Sequence, residues 1–397
     1  MKILSVNAGS SSLKFTLFLM PEGKELIGGY FEKIGLDDSF YSIKMNGNKT
    51  KKVEKITDHK EAVQVLIKEL LLNKVIDSLD ELDGIGHRLV HGGDKFSDSV
   101  IIDDEVLETV RECIPLAPLH NPANLIGVSA FRDSLKDTPN VGVFDTAFHQ
   151  TIPEVNYLYT VPYSWYTDYK IRKYGFHGTS HKFITKTMKE KLNKEDVNLI
   201  IAHIGSGGSL CCVKDGKSYD TTMGFSPNAG IMMGTRSGDI DYSIIKYYMN
   251  QSDSSIDDVD TILNKQSGLA GISGFSDCRD VEDAMARGDK KAILAFDMYV
   301  DKIASYVVKY YMELDGKVDA LVLTAGVGEN GCLFREKLLN KLKCLNINLD
   351  KEKNDSIASY KEISEGVIST DDSRVLVMVV PTNEELMIAT DTYELVK

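Results

Sequence analysis

Two arginines stand in segments where an arginine has little local packing to do. Arg88 lies in Gly86-His-Arg-Leu-Val-His-Gly-Gly93, at the end of an apolar run, and Arg236 lies in Met232-Met-Gly-Thr-Arg-Ser-Gly-Asp239. The guanidinium is a planar fork suited to bidentate contact with a carboxylate or a phosphate. Three Gly-rich turns, Asn7–Ser12, Gly205–Ser209 and Gly326–Asn330, each follow a predicted strand. Glycine lets backbone amides approach a phosphate closely, and hydroxyls such as those of Ser10 and Ser12 add donors. Lys14 follows Ser12 by two residues, so in a strand the two side chains share a face. A single turn of this kind reads as a tight hairpin. Three in one chain, each at a strand end, suggest a nucleotide site in a cleft between domains. None is a GxxxxGK[ST] loop or a dinucleotide fingerprint.

Carboxylates and histidines complete the set. Asp145 ends a predicted strand, Val141–Thr146, in Phe144-Asp-Thr-Ala-Phe-His149. A carboxylate at a strand C-terminus in an α/β fold is well placed for the ligand crevice. Glu384 and Glu385 follow Thr382. Thr382 and Glu385 have the spacing of a capping box, which leaves Glu384 for Mg²⁺. Seven of the eight histidines lie between residues 87 and 203, although a lone histidine is more often structural than catalytic. His177 and His181, in Lys173-Tyr-Gly-Phe-His-Gly-Thr-Ser-His181, have the i, i+4 spacing of a helical zinc pair. The Glu of HExxH is absent, which argues against zinc.

The elements that position these residues follow from hydrophobic periodicity. Ile3–Val6, about Leu13 to Met20 and about Leu26 to Ile34 read as strands, with Pro21-Glu22-Gly23 as a turn. Asp58 and Glu61 cap a helix whose apolar face is Val63, Leu66, Ile67, Leu70 and Leu71. In the second half, Asn198–Ile204 and Leu210–Val213 are strands around a Gly/Ser turn, and Asp215-Gly216 is a hairpin signal. Ile293, Phe296, Val300, Ile303 and Val307 step by three and four as on one helix face. Asp319–Thr324 and Val375–Val380 are further strands, and a last helix is predicted to start at Thr382. Ile3-Leu-Ser-Val-Asn-Ala-Gly-Ser-Ser-Ser-Leu13 and Ile200-Ile-Ala-His-Ile-Gly-Ser-Gly-Gly-Ser-Leu210 match in pattern. They point to a duplicated α/β domain with covered sheets.

Composition limits what such a protein does. The chain has 397 residues, with 59 acidic against 46 basic side chains and a net charge of −13. That balance argues against nucleic-acid binding, which draws most of its affinity from a basic surface. A few local arginines still suffice to hold an anionic substrate. Six scattered cysteines show no CxxC spacing and read as reduced thiols. The apolar run at the N-terminus is too short for a signal-peptide core, and no apolar stretch is long enough to span a bilayer. The expected location is the cytoplasm, with no membrane partner.

Taken together, the quoted segments resemble the acetate kinase family, within the acetate/sugar kinase, actin and heat-shock ATPase superfamily. The resemblance covers essentially the whole chain. It runs through Val6–Lys14, His87–Gly93, Ala117-Pro-Leu-His-Asn-Pro122, Phe144–His149, Tyr174–His181, Met233–Asp241, Thr324–Asn330 and Pro381-Thr-Asn-Glu-Glu385. It implies two ribonuclease-H-like, actin-like ATPase domains, 1–149 with 382–397 and 150–381, with a nucleotide cleft between them, in a homodimer. It implies transfer of the ATP γ-phosphoryl group to acetate, with Mg²⁺ or Mn²⁺ as metal and ATP or ADP as co-substrate. Arg88 would grip the acyl carboxylate, and His177 and Arg236 would stabilise the phosphoryl group. Asp145 would position the reacting groups. Asn7 and Glu384 would hold the metal. Lys14, with Ser10 and Ser12, would contact phosphate. His203, Ile204, Gly205, Ser206 and Gly207 would line the ATP site. So would Asp277, Cys278 and Arg279, and Gly326, Val327, Gly328, Glu329 and Asn330. Val90, Leu119, Phe176 and Pro227 would form the apolar acyl pocket, with His120 beside it.

The chain departs from the family pattern at a few positions. The second phosphate turn, usually His-x-Gly-Asn-Gly, reads His203-Ile-Gly-Ser-Gly207 here, and Gly274-Phe-Ser-Asp-Cys-Arg279 is one residue short. A propionate or other short-chain acid kinase is the alternative within enzymes. Val90 narrows the pocket towards acetate. A nucleotide-driven switch like actin or the chaperones is the alternative from another class. Such a protein has no use for Arg88, His120, His177 and Arg236 around a small apolar pocket.

Overall fold

The structure is a computed structural model that describes residues 1–397. The chain forms two compact units. The first comprises Met1–Gln150, Gly178–Lys182 and Asn383–Lys397, and the second Thr151–His177 and Phe183–Thr382.

The first unit is built on one sheet. Its strands are β1 (Lys2–Ala8), β2 (Ser12–Leu19), β3 (Lys24–Glu32), β4 (Phe40–Met45), β5 (Asn48–Val53), β6 (Leu82–Leu89), β7 (Val100–Ile101) and β8 (Asn140–Phe144). Their order is β5-β4-β3-β2-β1-β6-β8-β7. β1 to β5 form an antiparallel meander, whereas β6 and β8 run parallel to β1. The parallel strands are buried nearly throughout, as expected for strands covered on both faces. One face packs on helices His59–Leu72 and Asn121–Ser134 through Val63, Leu66, Leu70, Ala130 and Phe131. The other face carries helix Glu384–Val396, whose Ile388 and Ala389 meet Val141, Val143 and Ile3. Glycine at position 86 permits that approach, since a Cβ there would lie 2.2 Å from Thr392 Oγ1.

The predicted cap at Asp58 is present, its carboxylate accepting from Glu61 N at 2.8 Å. Leu71, expected on the buried face of that helix, is exposed. The hairpin β4–β5 has no counterpart in the hydrophobic pattern, because every residue of β5 is exposed. Its signal is the turn: Asn46 and Gly47 both take positive φ (50° and 78°), as a two-residue hairpin loop requires.

The second unit repeats this order. Its strands are β9 (Leu199–Ile204), β10 (Gly208–Lys214), β11 (Lys217–Thr221), β12 (Ala320–Thr324), β13 (Gly366–Val367) and β14 (Leu376–Val379), ordered β11-β10-β9-β12-β14-β13. β9 to β11 form an antiparallel meander, and β12 and β14 run parallel to β9. This is the connectivity of β1, β2, β3, β6 and β8, so the duplication is a property of the fold. Helix Lys290–Glu313 buries Phe296, Val300, Ile303 and Val307, while Ile293 is exposed. The segments at Asn7, Arg88 and Asp145 in the first unit, and at His203 and Gly326 in the second, lie at the C-terminal ends of parallel strands, where ligands bind in open α/β sheets.

Candidate active site

In the first unit, Arg88 and Asp145 form one assembly. Arg88 is the penultimate residue of β6, and Asp145 follows β8 directly rather than lying inside a longer strand. Arg88 Nε donates to both Asp145 oxygens at 3.0 and 3.1 Å, and Nη2 donates to Oδ2 at 2.6 Å. Asp145 is 1% exposed, and its charge raises the Arg88 pKa further above its ordinary value. The Asp145 backbone is fixed on both sides. Its N–H donates to Leu89 O and its carbonyl accepts from Gly178 N, both at 2.9 Å. A Cβ on Gly178 would meet Asp145 O at 2.2 Å, so this contact requires glycine. The hydrogen bonds of Arg88 to Asp145 run through Nε and Nη2 and do not use Nη1.

Glu384 opens helix Glu384–Val396, but the cap differs from the expectation. Asn383, not Thr382, is the N-cap, its side chain accepting from Leu386 N at 2.9 Å. Glu385 makes no capping box and instead pairs with Lys14 Nζ. Lys14 faces Asn7 across the β1–β2 ladder, so Asn7, Lys14 and Glu385 gather on one side of the sheet. Burial pushes the Glu384 carboxyl up to about 7. Asp145 and Glu385 push the same way, while Arg88 and Lys14 pull down. Glu384 Oε1 is buried without a hydrogen-bond partner. A buried carboxylate oxygen with no hydrogen-bond partner fits a hard cation such as Mg²⁺. Ser10 is exposed and Ser12 half-buried in the Asn7–Ser12 turn, which closes through Gly9 N to Ser12 O at 2.9 Å. Val90 is buried, whereas Leu119 is 76% exposed and forms no part of an apolar wall. His120 is the exposed N-cap residue of helix Asn121–Ser134.

In the second unit the chemistry gathers around Gly207. His177 is the N-cap residue of helix Gly178–Leu192, with φ of 56°, so it lies outside the helix and does not share a face with His181. Its Nδ1 is 2.9 Å from Ser209 Oγ, and its ring stacks on His203 with centroids 4.3 Å apart. His181 instead lies against the ring of His149, so the zinc spacing is not realised. A Cβ on Gly207 would be 3.3 Å from Arg236 Nη1 and 3.8 Å from His177 Cε1, which puts this glycine against both side chains. Arg236 Nη1 donates to Pro227 O at 3.2 Å and lies 3.7 Å from Met233 Sδ. Burial lowers its pKa, with no carboxylate opposing that shift. The turn is braced by Gly205 N to Gly207 O at 3.0 Å and Gly234 N to Ser206 O at 3.1 Å. Ile204 is buried at the end of β9, Ser206 is exposed, and Phe176 is buried.

Two predicted ATP segments carry structural tasks. Gly326–Asn330 is not a turn but a short helix, Ala325–Asn330, entered from Thr324. Gly328 lies buried inside it, and Gly326 and Val327 are at its start. Glu329 folds back, accepting from Ala325 N at 2.8 Å and Thr382 N at 3.1 Å. Asn330 Oδ1 accepts from Ser359 N at 2.8 Å. Asp277 caps helix Cys278–Ala286 and binds Arg279 through both oxygens, which holds its pKa down at about 2. The Arg279 side chain is 89% exposed and Cys278 is buried. Ser276 O lies 2.8 Å from where a Gly234 Cβ would be, so this segment borders the Ser206 turn. The motifs do not single out Ser209 as a histidine partner, nor Asn124. The only sign of Asn124 is a polar residue on the apolar side of a helix.

The acetokinase family model matches residues 2–390. An acetate kinase of Bacillus cytotoxicus is 48% identical over 397 residues, covering 99% of this chain and 98% of its own. One from a Geobacillus species is 49% identical over the same share. Among solved structures, the acetate kinase of Porphyromonas gingivalis has a TM-score of 0.94 at 44% identity and covers both chains fully. A propionate kinase of Francisella tularensis has a TM-score of 0.93 at 41% identity, covering 99% of each.

Proposed function

The chain belongs to the acetokinase family and is an ATP-dependent carboxylate kinase, and we propose that it transfers the γ-phosphoryl group of ATP reversibly to acetate by direct in-line displacement. One observation carries the proposal. Arg236 is a partly buried guanidinium with no anion of its own, beside His177 and a glycine turn. Such a group is positioned for the charge of a phosphoryl group in transfer.

The acceptor is already a carboxylate, so no strong base is needed. Arg88 would hold it through Nη1 while Asp145 fixes the plane of the guanidinium. The Ser209 bond orients the His177 ring, and Nε2 would then donate to a phosphoryl oxygen. Lys14 and the Asn7–Ser12 turn would contact phosphate. His203–Gly207 and the segments at Asp277–Arg279 and Gly326–Asn330 would border the nucleotide. Glu384 and Asn7 would hold Mg²⁺, with Mn²⁺ as the other candidate, and the ion when bound neutralises phosphate charge. Val90, Phe176 and Pro227 would enclose the methyl group, with Leu119 and His120 at the rim. A propionate kinase among the similar structures makes propionate the second reading. One methylene alters binding by only about 1–3 kcal/mol, so partial activity on propionate is expected.

Acyl phosphate trapped by hydroxylamine, with acetate, propionate or butyrate and Mg-ATP, tests the reaction. Acetate should give the highest kcat/KM. Absence of acyl phosphate from all three acids would remove the proposal.

We also read the chain as a cytoplasmic homodimer. All six cysteines are free thiols. No helix is long and apolar enough to cross a membrane. Helices Ser164–Tyr169 and Ser243–Gln251 bury no residue and expose Trp165, Tyr169, Ile244, Tyr247 and Tyr248. Helices this short are marginal in water unless packed, and a second copy is the commonest cover. A monomeric mass by sedimentation equilibrium at micromolar concentration would overturn the dimer, and recovery outside the cytoplasm on fractionation would overturn the location.

A further inference from the structure

Asn124 is 4% exposed and lies in the first turn of helix Asn121–Ser134. Its Nδ2 donates to Ala8 O at 2.9 Å, and its Oδ1 accepts from Val90 N at 3.0 Å. Ala8 directly follows Asn7 at the end of β1, and Val90 is two residues past Arg88 at the end of β6. The peptide that supplies Val90 N also carries Leu89 O, which accepts from Asp145 N at 2.9 Å. One continuous path of hydrogen bonds therefore runs from Ala8 through the Asn124 amide and the Leu89–Val90 peptide to Asp145. The path joins the ends of three strands, β1, β6 and β8, each of which presents one of the residues assigned above.

The approach is built in. Gly127, one turn along the helix, would carry a Cβ 2.5 Å from Ala8 Cβ, so glycine allows the helix to come this close to β1. Asn121 makes the matching bonds one turn earlier, accepting from His91 N at 3.2 Å and donating to His91 O at 3.0 Å. The helix thus grips both the Asn7 turn and the loop after Arg88. An asparagine amide is required at position 124, because the site needs a donor and an acceptor on one short, rigid group. A carboxylate would set a negative oxygen against Ala8 O, and an alkyl group would leave a buried N–H and C=O unpaired.

We propose that Asn124 is a positioning residue that sets the spacing between the metal-binding Asn7 turn and the Arg88–Asp145 carboxylate clamp. The proposal rests on the roles assigned to Asn7 and Arg88 above. Asn124→Asp and Asn124→Ala are measured with hydroxamate formation as readout, with Arg88→Ala alongside as the test of those roles. Asn140→Ala is the control for lost stability. It removes another buried amide of the same sheet, the one bonded to His87 Nε2 at 2.7 Å, at the opposite end of β8. Melting curves fix the folded fraction of each variant.

The expected result is a loss of kcat of tenfold or more in Asn124→Asp, with half-saturation for both Mg²⁺ and acetate raised, at a temperature where the variant is fully folded. The control should lose melting temperature and keep both half-saturation values. As pH falls, Asn124→Asp should regain activity relative to the native chain, because a protonated carboxyl donates and accepts as the amide does. If folded Asn124→Asp and Asn124→Ala keep kcat and both half-saturation values within twofold, or if the control shifts them equally, Asn124 only stabilises the fold. Retained activity in Arg88→Ala would overturn the site assignment instead.

Discussion

The turn after β1 and the turn after β9 occupy the same place in two copies of one strand order, yet they differ in the titratable side chains around them. Around the first are the carboxylates of Asp145, Glu384 and Glu385, each set against Arg88 or Lys14. Around the second are His177, His203 and Arg236, and no carboxylate neutralises Arg236. The acids near the second turn are occupied locally: Asp277 holds Arg279 and Glu329 caps its own helix. One strand order therefore carries two different sets of side chains, which is the ground for proposing different work for each. The first copy suits a cation and an acceptor carboxylate. The second suits an anion whose charge grows during transfer. The two arginines express this most sharply. One is held ready by a buried partner, and the other is kept without one.

Replacing each arginine separately tests that difference and carries the largest effects. Arg236→Ala should lower kcat by about 10²–10³, the range for removing a donor to a developing charge. Its melting temperature should hold or rise, because a partly buried charge without a partner is removed. Arg88→Ala should lose activity comparably and also stability, by about 3–5 kcal/mol, because Asp145 remains buried without its cation. Equal melting temperatures in the two variants would break the comparison.

A smaller effect follows from Glu384. Its carboxyl titrates at about 7 in the folded chain, above the ordinary glutamate value of about 4.3. The folded state therefore binds a proton that the unfolded state has already released between these values. The stability contribution is full below about pH 4.3 and is lost as pH rises to about 7. In chelator, the melting temperature should fall over that window more in the native chain than in Glu384→Gln. Parallel curves for the two proteins would show that the carboxyl is not held in this way. With Mg²⁺ present the slope should shrink, since the cation favours the ionised form that burial disfavours.

The division of labour was partly legible in the sequence. Glycine and serine at strand ends marked both turns, and the match between Ile3–Leu13 and Ile200–Leu210 marked the repeat, because backbone approach and sheet pairing leave local signatures. Arg88 and Arg236 stood out among glycines for the same reason. What failed depended on tertiary partners. Thr382 and Glu385 have capping-box spacing, yet Asn383 caps the helix and Lys14 takes Glu385, a contact 371 positions away in the chain. His177 and His181 have helical spacing, yet the chain bends into left-handed geometry at His177 so that its ring can meet Ser209 and His203. Gly326–Asn330 resembles a loop because of its glycines, but the chain is helical there and Glu329 accepts from the first N–H of the helix, Ala325 N. Asn124 carries no motif, since its role arises only once β1 and β6 lie side by side.

The smallest expected effect concerns Ser206, where the second turn departs from the pattern of the family it resembles. Its backbone does the structural work, with Ser206 O accepting from Gly234 N at 3.1 Å, while its side chain is exposed and takes no part in bracing the turn. Ser206→Asn should therefore leave the melting temperature unchanged. The longer amide adds a donor beside Gly207, where the phosphate is expected, so the KM for ATP should fall by about 2- to 5-fold, the gain of roughly one exposed hydrogen bond of 0.5–1 kcal/mol. The half-saturation for Mg²⁺ and the KM for acetate should not move, because the groups assigned to the metal and to the acetate carboxylate, Asn7, Glu384 and Arg88, lie around the other turn, and Ser206 is not among the residues assigned to the methyl group. If the substitution shifts the acetate or metal values as much as the nucleotide value, the two turns do not divide the work, and the difference between them reflects packing alone.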